Sequence, residues 1–310
     1  MGPGEFTVTS HTSPRLPPGR RVTLLVTQWW RDCVVIETME SADDVVNLNY
    51  LGLPEHEDKP RGSGLTMVID RGTPLTYFTD LIRSNSQYID FVKFGWGTSV
   101  VAKDLEKKIA ILRSEGVDFY FGGTLFEKYL LQEKFDDFRV MCDHYGCQFV
   151  EVSNGTIDLS DADKAGYVNA LSQDFRVISE VGSKDQERSE TMAPNRWIDY
   201  IRDDLDAGAV LVTLETRESG HSGICRPNGE LRFGLIEEIL TSGVDVDRLL
   251  FEAPTLDLQS YFVRRVGPSV NLANIAADDV ISLETIRLGL RSETLLVFEP
   301  SSVQWLSERA

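Results

Sequence analysis

The feature that most constrains the fold of this 310-residue chain is an alternation of short apolar segments with segments of helical spacing. The apolar segments recur at Leu65–Asp70, Phe91–Gly95, Val117–Gly123, Phe149–Ser153, Arg176–Gly182, Ala209–Glu215, Arg248–Pro254 and Ser269–Asn274. Their interiors are continuously apolar, which is typical of parallel strands covered by helices. Eight such units predict an α/β fold, a closed (β/α)8 or TIM barrel. An open eight-stranded sheet is the alternative.

Helix signals lie between the predicted strands. Apolar residues from Leu105 to Leu112 share one face of a predicted helix, and Gly116 ends it as a C-cap glycine. Further helices are expected to begin near Asp161 and at Pro194, where proline suits the first helical position.

The composition changes before residue 59. We expect residues 1–58 to form an N-terminal extension, residues 59–299 the catalytic barrel and residues 300–310 a C-terminal tail. Within the extension, residues 1–6 read as a cloning remnant and residues 7–20, rich in Thr, Ser, Pro and Arg, as a flexible segment. Residues 22–36 are apolar enough to form a short packed element.

Charge and cysteine content exclude several classes of protein. A formal net charge of −18 argues against nucleic acid or an anionic membrane as partner. No apolar run reaches the ~20 residues of a membrane-spanning helix. The four cysteines suggest neither a disulfide scaffold nor a zinc motif, so we expect a reduced, cytoplasmic protein. We also expect a homo-oligomer. Cys142, His144 and Cys147 could bind a metal, but packing is the favoured interpretation.

Polar residues cluster where the predicted strands end, which in a barrel of this type is where catalysis occurs. Several buried carboxylates at one mouth need a metal, cations or shared protons, although any single one could be a strand-end cap or an ion pair. Oxygen ligands without histidine favour Mg²⁺ over zinc. The candidate metal ligands are Asp70, Glu180 and Glu215, followed by Glu151 and Glu252.

Two glycine-rich turns, Gly95–Ser99 and Gly122–Thr124, each precede a predicted helix, whose N-terminus favours phosphate or carboxylate. The first begins like a dinucleotide-binding motif, but Val100 occupies the position of the third glycine. His221 is either a substrate contact or, more simply, a solvated loop residue.

Ten segments between residues 59 and 294, in order, resemble the phosphosulfolactate synthase family. The most specific are residues 90–99 (DFVKFGWGTS), 64–72 (GLTMVIDRG), 122–127 (GGTLFE), 150–155 (VEVSNG), 180–184 (EVGSK) and 283–291 (LETIRLGLR). The resemblance implies a (β/α)8 fold and Mg²⁺-dependent addition of sulfite to phosphoenolpyruvate. The product would be (2R)-phospho-3-sulfolactate, an early intermediate of coenzyme M synthesis in methanogens.

The resemblance also implies roles for individual residues. Lys184 matches the family's proposed acid, and we expect a lowered pKa for a lysine at a barrel mouth. Lys93 and Arg217 complete the predicted catalytic set and would bind the phosphate, sulfonate or carboxylate group. The predicted substrate-binding residues are Lys93, Gly97, Thr98, Gly123, Thr124, Ser153, Arg217, Ser219, Asn271 and Asn274.

The chain departs from the family pattern at Ser183, where a second lysine is expected, and at Thr216, where a smaller residue is usual. The loss of a cation leaves open a variant that adds a different nucleophile to phosphoenolpyruvate. A non-catalytic, stress-related barrel protein is the other alternative. A plant heat-stress relative has the fold but lacks many of these motifs.

Overall fold

The computed structural model describes residues 51–216 and 222–299, which form a barrel of eight parallel strands. The strands are β1 Thr66–Asp70, β2 Phe91–Phe94, β3 Asp118–Phe121, β4 Phe149–Val152, β5 Arg176–Val181, β6 Ala209–Leu214, β7 Leu249–Glu252 and β8 Leu272–Ile275. The predicted (β/α)8 fold is therefore confirmed. The predicted strands coincide with the observed ones to within a few residues, with the largest displacement at β8.

Helices follow the strands and cover the outside of the barrel. They are α1 Leu75–Asn85, α2 Thr98–Val101, α3 Leu105–Ser114, α4 Gly123–Leu130, α5 Phe135–His144, α6 Asp161–Leu171, α7 Gln186–Thr191, α8 Pro194–Asp206, α9 Phe233–Thr241, α10 Leu256–Val266 and α11 Val280–Arg287. The helix starts at Asp161 and Pro194 are confirmed. Gly116, with φ 63°, follows α3 in the left-handed conformation that glycine adopts without strain.

The hydrogen-bonded strand order is β3-β2-β1-β8-β7-β6-β5-β4. Between its two ends, β3 and β4, no ladder joins the described residues, but the strands contact each other. We call this junction the seam. The ring is therefore held by seven ladders and by side-chain and loop contacts at the seam.

Side-chain alternation along the strands separates an inner layer from an outer one. The inner layer is a small apolar cluster of Leu65, Met67, Phe91, Tyr120, Phe149, Ile178, Leu211, Leu250 and Ala273. Residues one position along, such as Val68, Val92 and Val212, belong to the larger apolar cluster shared with the helices. The barrel interior is consequently filled, and an open cavity can form only above the inner layer.

The N-terminal end of the barrel is closed by polar side chains that bind backbone carbonyl groups. Lys59 Nζ donates to the carbonyl oxygens of Ser86, Ile89 and Gly116 at 3.1, 2.6 and 2.8 Å. The fully buried Arg287 donates to the carbonyl of Val270 at 2.7 Å. Two segments of the family-like sequence, around Lys59 and Arg287, thus stabilise the end of the barrel opposite the strand C-termini.

Asn271 also lies at this N-terminal end. Its Oδ1 accepts from the backbone N–H of Leu65 at 2.9 Å, and its Nδ2 donates to the carbonyls of Asp247 and Leu249. Asn271 precedes β8, whereas the predicted strand, Ser269–Asn274, includes it. This corrects its assignment as a substrate-binding residue.

Several predictions concern other parts of the chain. The extension 1–58 and the tail 300–310 remain predictions, because residues 1–50 and 300–310 lie outside the described residues.

Cys142 and Cys147 are both buried in the apolar core, as the packing interpretation expected. In the described ranges, no helix has the length and apolarity to cross a membrane.

A buried ion pair fixes the outer side of β5. Lys164 Nζ on α6 lies 2.6 Å from Asp204 Oδ2 on α8, and it donates to the carbonyl of Glu180 at 3.0 Å. Ser179 Oγ donates to Asp204 at 2.5 Å. Because all of these side chains are almost inaccessible to solvent, each charge depends on its partner.

We predict that Asp204→Ala lowers the free energy of unfolding by about 3–5 kcal/mol, since it leaves the buried Lys164 ammonium group without its counter-charge. The exposed neighbour Asp203→Ala serves as the matched control and should change stability by less than about 0.5 kcal/mol. Urea denaturation followed by circular dichroism measures both. Equal stabilities of the two variants would show that the pair contributes nothing.

Candidate active site

A cavity of about 390 Å³ opens above the inner layer, at the C-terminal ends of the strands. Its lining comes from all eight strands or the loops that follow them. The lining residues are Ile69, Lys93, Gly95, Trp96, Gly122, Gly123, Thr124, Glu151, Thr156, Glu180, Lys184, Glu215, Thr216, Glu252 and Asn274. In a (β/α)8 barrel this is the face where catalytic residues lie.

Lys93, on β2, occupies the floor of the cavity between two carboxylates. Its Nζ donates to Glu151 Oε1 at 3.3 Å and to Glu252 Oε1 at 3.2 Å. Burial alone would lower the pKa of Lys93, but the two glutamates raise it well above its ordinary value. Lys93 therefore carries a fixed positive charge at the base of the cavity.

Glu151 and Glu252 have their second oxygens engaged by backbone N–H groups. Gly123 N donates to Glu151 Oε2 at 2.5 Å, and Thr216 N donates to Glu252 Oε2 at 2.7 Å. The first of these bonds crosses the seam from the end of β3 to β4. Each oxygen of these two carboxylates thus already has a partner within the protein.

Lys184, just beyond β5, lies on the wall of the cavity. Its Nζ donates to Glu180 Oε1 at 3.1 Å, and it lies 3.9 Å from Glu215 Oε1 and 3.4 Å from Thr124 Oγ1. Burial acts to lower the pKa of Lys184, but Glu180 and Glu215 outweigh it and raise the pKa well above its usual range. The expectation of a lowered pKa was wrong, because it ignored the carboxylates that surround this amine.

The glutamates divide into two electrostatic groups. Burial raises the pKa of Glu151 and raises that of Glu252 to about 7. It also raises the pKa of Glu215 well above its ordinary value. Burial acts in the same direction on Glu180, but Lys184 and Lys93 lower its pKa to about 2. Three of the four lining glutamates therefore bind a proton more readily than a free carboxylate, and a nearby cation would favour their charged form.

Glu215 has one carboxylate oxygen that is not engaged by the protein. Its Oε2 is buried and has no hydrogen-bond partner among the described residues. A side chain at Gly155 would approach this oxygen to 2.9 Å and Glu180 Oε1 to 3.5 Å, so the missing side chain leaves space beside both carboxylates. Asn274 Oδ1, which also lacks a partner, belongs to the same cavity lining.

These oxygens suit Mg²⁺ better than a softer metal, although no group of three or more His, Cys, Asp or Glu in the described ranges is arranged as a complete metal site. Mg²⁺ is commonly held by only one or two carboxylates, with waters and substrate oxygens completing its shell. Glu215 and the adjacent Glu180 fit that pattern. Glu151 and Glu252 fit it less well, because both of their oxygens are occupied.

Asp70 points away from the cavity. Its Oδ2 lies 2.5 Å from Lys108 Nζ on α3, and its Oδ1 accepts from the backbone N–H groups of Gly72 and Thr73. Because Ile69 lines the cavity, the next residue on the strand must face the helices. This corrects the assignment of Asp70 as a metal ligand.

The predicted substrate-binding residues separate in a similar way. Lys93, Gly123, Thr124 and Asn274 line the cavity, whereas Gly97 and Thr98 adjoin it at the start of α2. Ser153 is fully buried behind the wall, between Glu127 and Glu180. Arg217, Ser219 and His221 lie outside the described residues.

The sequence analysis did not predict four residues in or next to the site. Trp96, Thr156 and Thr216 line the cavity, and Glu127 lies behind its wall. Trp96 has a φ of 53°, a strained value for a side chain of its size. The signal for Trp96 was its position between Gly95 and Gly97. Glu127 ends the family-like segment 122–127, but neither Glu127 nor Thr156 lies at a predicted strand end.

A closed parallel barrel with a charged cavity at the C-terminal ends of its strands defines a (β/α)8-barrel enzyme. A family model described as (2R)-phospho-3-sulfolactate synthase (ComA) matches residues 54–293. The chain belongs to this family.

Named relatives agree with that assignment. The chain is 49% identical to the phosphosulfolactate synthase of Bacillus subtilis over 247 residues, which cover 80% of this chain and 98% of the relative. Identity to the phosphosulfolactate synthase of Methanothermobacter thermautotrophicus is 39%, over 78% of this chain and 95% of the relative. Identity to the protein HEAT-STRESS-ASSOCIATED 32 of Arabidopsis thaliana is 22%, over 75% of this chain and 90% of that protein. The chain is thus much more similar to the synthases than to the plant protein.

We predict that Glu252→Gln changes the pH dependence of stability. The folded-state pKa of about 7 lies above the ordinary 4.5, so the wild-type protein loses stability through this group as the pH rises from 4.5 to 7. In metal-free buffer the variant should gain stability relative to wild type over that range, on the order of 3 kcal/mol. Urea unfolding at several pH values measures this, with the exposed Glu106→Gln as control. A constant difference between Glu252→Gln and wild type across the range would contradict the prediction.

Proposed function

We propose that this protein adds sulfite to phosphoenolpyruvate and forms (2R)-phospho-3-sulfolactate. The observation that carries the proposal is the cavity in which Lys93 and Lys184 are each held between two glutamates at the mouth of the barrel. Membership of the phosphosulfolactate synthase family supports the choice of reaction. The cavity volume of about 390 Å³ is adequate for a three-carbon phosphoester with a small anion.

The proposed cofactor is Mg²⁺, held by Glu215 and Glu180. The unpartnered Glu215 Oε2 supports this assignment, since a buried carboxylate oxygen without a partner is costly. Two anionic substrates entering a lining with four glutamates and two lysines also require added positive charge. Bound Mg²⁺ would supply Lewis-acid stabilisation of negative charge on the substrate carboxylate.

In the proposed reaction, the sulfur of sulfite attacks the methylene carbon of phosphoenolpyruvate and a carbon–sulfur bond forms. The electron pair of the double bond moves to C2 and the carboxylate, and a proton from Lys184 then reaches C2. No group leaves, so the product contains phosphoenolpyruvate, sulfite and one proton. Lys184 holds the proton before the reaction, because Glu180 and Glu215 outweigh the burial that alone would lower its pKa.

Lys93 would stabilise negative charge on the bound substrate from the floor of the cavity. Its two glutamates keep it protonated and hold its Nζ in place, so the charge needs no rearrangement during the reaction. Arg217 remains the predicted partner of the phosphate, sulfonate or carboxylate group, and Ser219 a predicted substrate contact.

The alternative of a different nucleophile was motivated by Ser183. Ser183 is fully buried, its Oγ accepts from the backbone N–H of Asp185 at 3.2 Å, and it does not belong to the cavity lining. No observation at this residue therefore favours another nucleophile. The alternative of a non-catalytic barrel is opposed by membership of an enzyme family.

We predict that Lys184→Ala lowers kcat by about 10²–10⁴-fold, the usual contribution of a positioned acid, while phosphoenolpyruvate still binds. Incubation with phosphoenolpyruvate and sulfite, followed by mass spectrometry of the sulfonated product, measures turnover, and calorimetry measures binding. The exposed Lys128→Ala is the matched control and should behave as wild type. Near-normal turnover of Lys184→Ala would remove it as the acid.

We predict that EDTA abolishes product formation and that Mg²⁺ restores it. Calorimetric titration with Mg²⁺ provides a readout other than activity, and Glu215→Gln should weaken Mg²⁺ binding at least about tenfold because it removes a charged oxygen ligand. Full activity in EDTA would contradict the metal requirement. Unchanged Mg²⁺ binding by Glu215→Gln would show that other residues bind the metal.

A further inference from the structure

Glu127 and Ser153 lie behind the wall of the cavity and do not line it. Glu127 is on α4, and Ser153 follows β4. The exposed fractions of these residues are 2% and 0%. Direct contact with a substrate in the cavity therefore does not explain a buried carboxyl group at residue 127.

Ser153 connects Glu127 to the proposed catalytic lysine. Its Oγ lies 2.6 Å from Glu127 Oε1 and 2.9 Å from Glu180 Oε1, within hydrogen-bonding distance of both. Its single proton is donated to one carboxylate, and the other group bonds to Oγ when it carries a proton of its own. Glu180 Oε1 in turn accepts from Lys184 Nζ at 3.1 Å. A continuous series of hydrogen bonds thus runs from α4 to the cavity.

A second connection passes through the backbone of the loop after β4. Thr156 N donates to Glu127 Oε1 at 3.4 Å, and the amide of Lys184 donates to the carbonyl of Gly155 at 3.0 Å. Glu127 therefore contacts both the loop on which the Lys184 backbone rests and the hydroxyl group that fixes its carboxylate partner.

A buried carboxyl group is a costly way to fill this space. Among the described residues no Lys, Arg or His lies within ion-pair distance of Glu127, although its charge helps to raise the pKa of Lys184. An apolar residue would fill the space without a desolvation cost. The group therefore contributes something that packing alone does not provide, and its contacts lead to Glu180 and Lys184.

We propose that Glu127 is a positioning residue, which acts through Ser153 to hold Glu180 and Lys184 in the geometry for proton transfer. The inference rests on the proposed role of Lys184 as the acid. Because kcat depends steeply on the position of a catalytic group, loosening this series of bonds should reduce turnover more than substrate binding.

The variants Ser153→Ala and Glu127→Ala test the proposal. Each should lower kcat by about tenfold or more and change KM for phosphoenolpyruvate by less than about threefold. Glu127→Gln keeps an amide that can bond to the Ser153 hydroxyl and should retain at least about a third of kcat. The double variant should be no slower than the slower single variant, since both changes break one series of contacts.

Ser179→Ala is the matched control. Ser179 is equally buried, donates to the carboxylate of Asp204 at 2.5 Å and lies next to Glu180, but on the outer face of β5. It should lose a similar amount of stability in urea while keeping kcat within about twofold of wild type. The proposal is overturned if Ser153→Ala keeps wild-type kcat, if Ser179→Ala is equally slow, or if the two single effects multiply in the double variant.

Nuclear magnetic resonance of the Lys184 side-chain ammonium group separates this inference from the proposed reaction. A hydrogen-bonded ammonium group exchanges slowly with water, and the signal is assigned by its absence in Lys184→Arg. Loss of the signal in Ser153→Ala but not in Ser179→Ala supports the positioning role, even if the wild-type protein forms no product from sulfite and phosphoenolpyruvate. An unchanged signal in Ser153→Ala overturns it.

Discussion

The site depends on the balance between two buried lysines and the carboxylates that surround them. Lys93 and Lys184 each lie between two glutamates, which outweigh the effect of burial and raise the pKa of both amines. The same glutamates exceed the lysines in number. If Mg²⁺ binds Glu215 and Glu180 as proposed, its charge would help a chain with a net charge of −18 to accept the proposed anionic substrates.

Strand geometry decides which polar residues take part in this balance. Successive side chains on a strand face opposite sides of the barrel wall, so Lys93, Glu151, Glu180 and Glu252 face inward while Asp70 and Ser179 face the helices. The outward-facing residues contact the helices. The bonds of Asp204 to Lys164 and Ser179 hold the outer side of the strand whose inner side carries Glu180. The outer side of β5 therefore contacts the helices, and its inner side contributes to the site.

The barrel fold and most of the cavity lining could be predicted from the sequence. Continuous apolar runs separated by helical segments predicted the barrel, and polar residues at the run ends predicted most of the cavity lining, because both signals are local. The errors arose where a single position mattered. A shift of a few residues at β8 placed Asn271 at the wrong end of the barrel, and Asp70 required knowledge of which side chains face inward. The raised pKa of Lys184 and the bridging contacts of Ser153 depend on residues distant in sequence, which no local pattern reveals.

Glu151 illustrates how closely closure of the barrel and the charge of the site are joined. One of its oxygens accepts from Gly123 across the seam between β3 and β4, and the other faces Lys93. A substitution that removes its carboxylate would change both a contact of the seam and the environment of Lys93. Evolutionary divergence of the family should therefore leave this position nearly invariant and proceed instead through the mouth loops, where a new specificity does not endanger the scaffold.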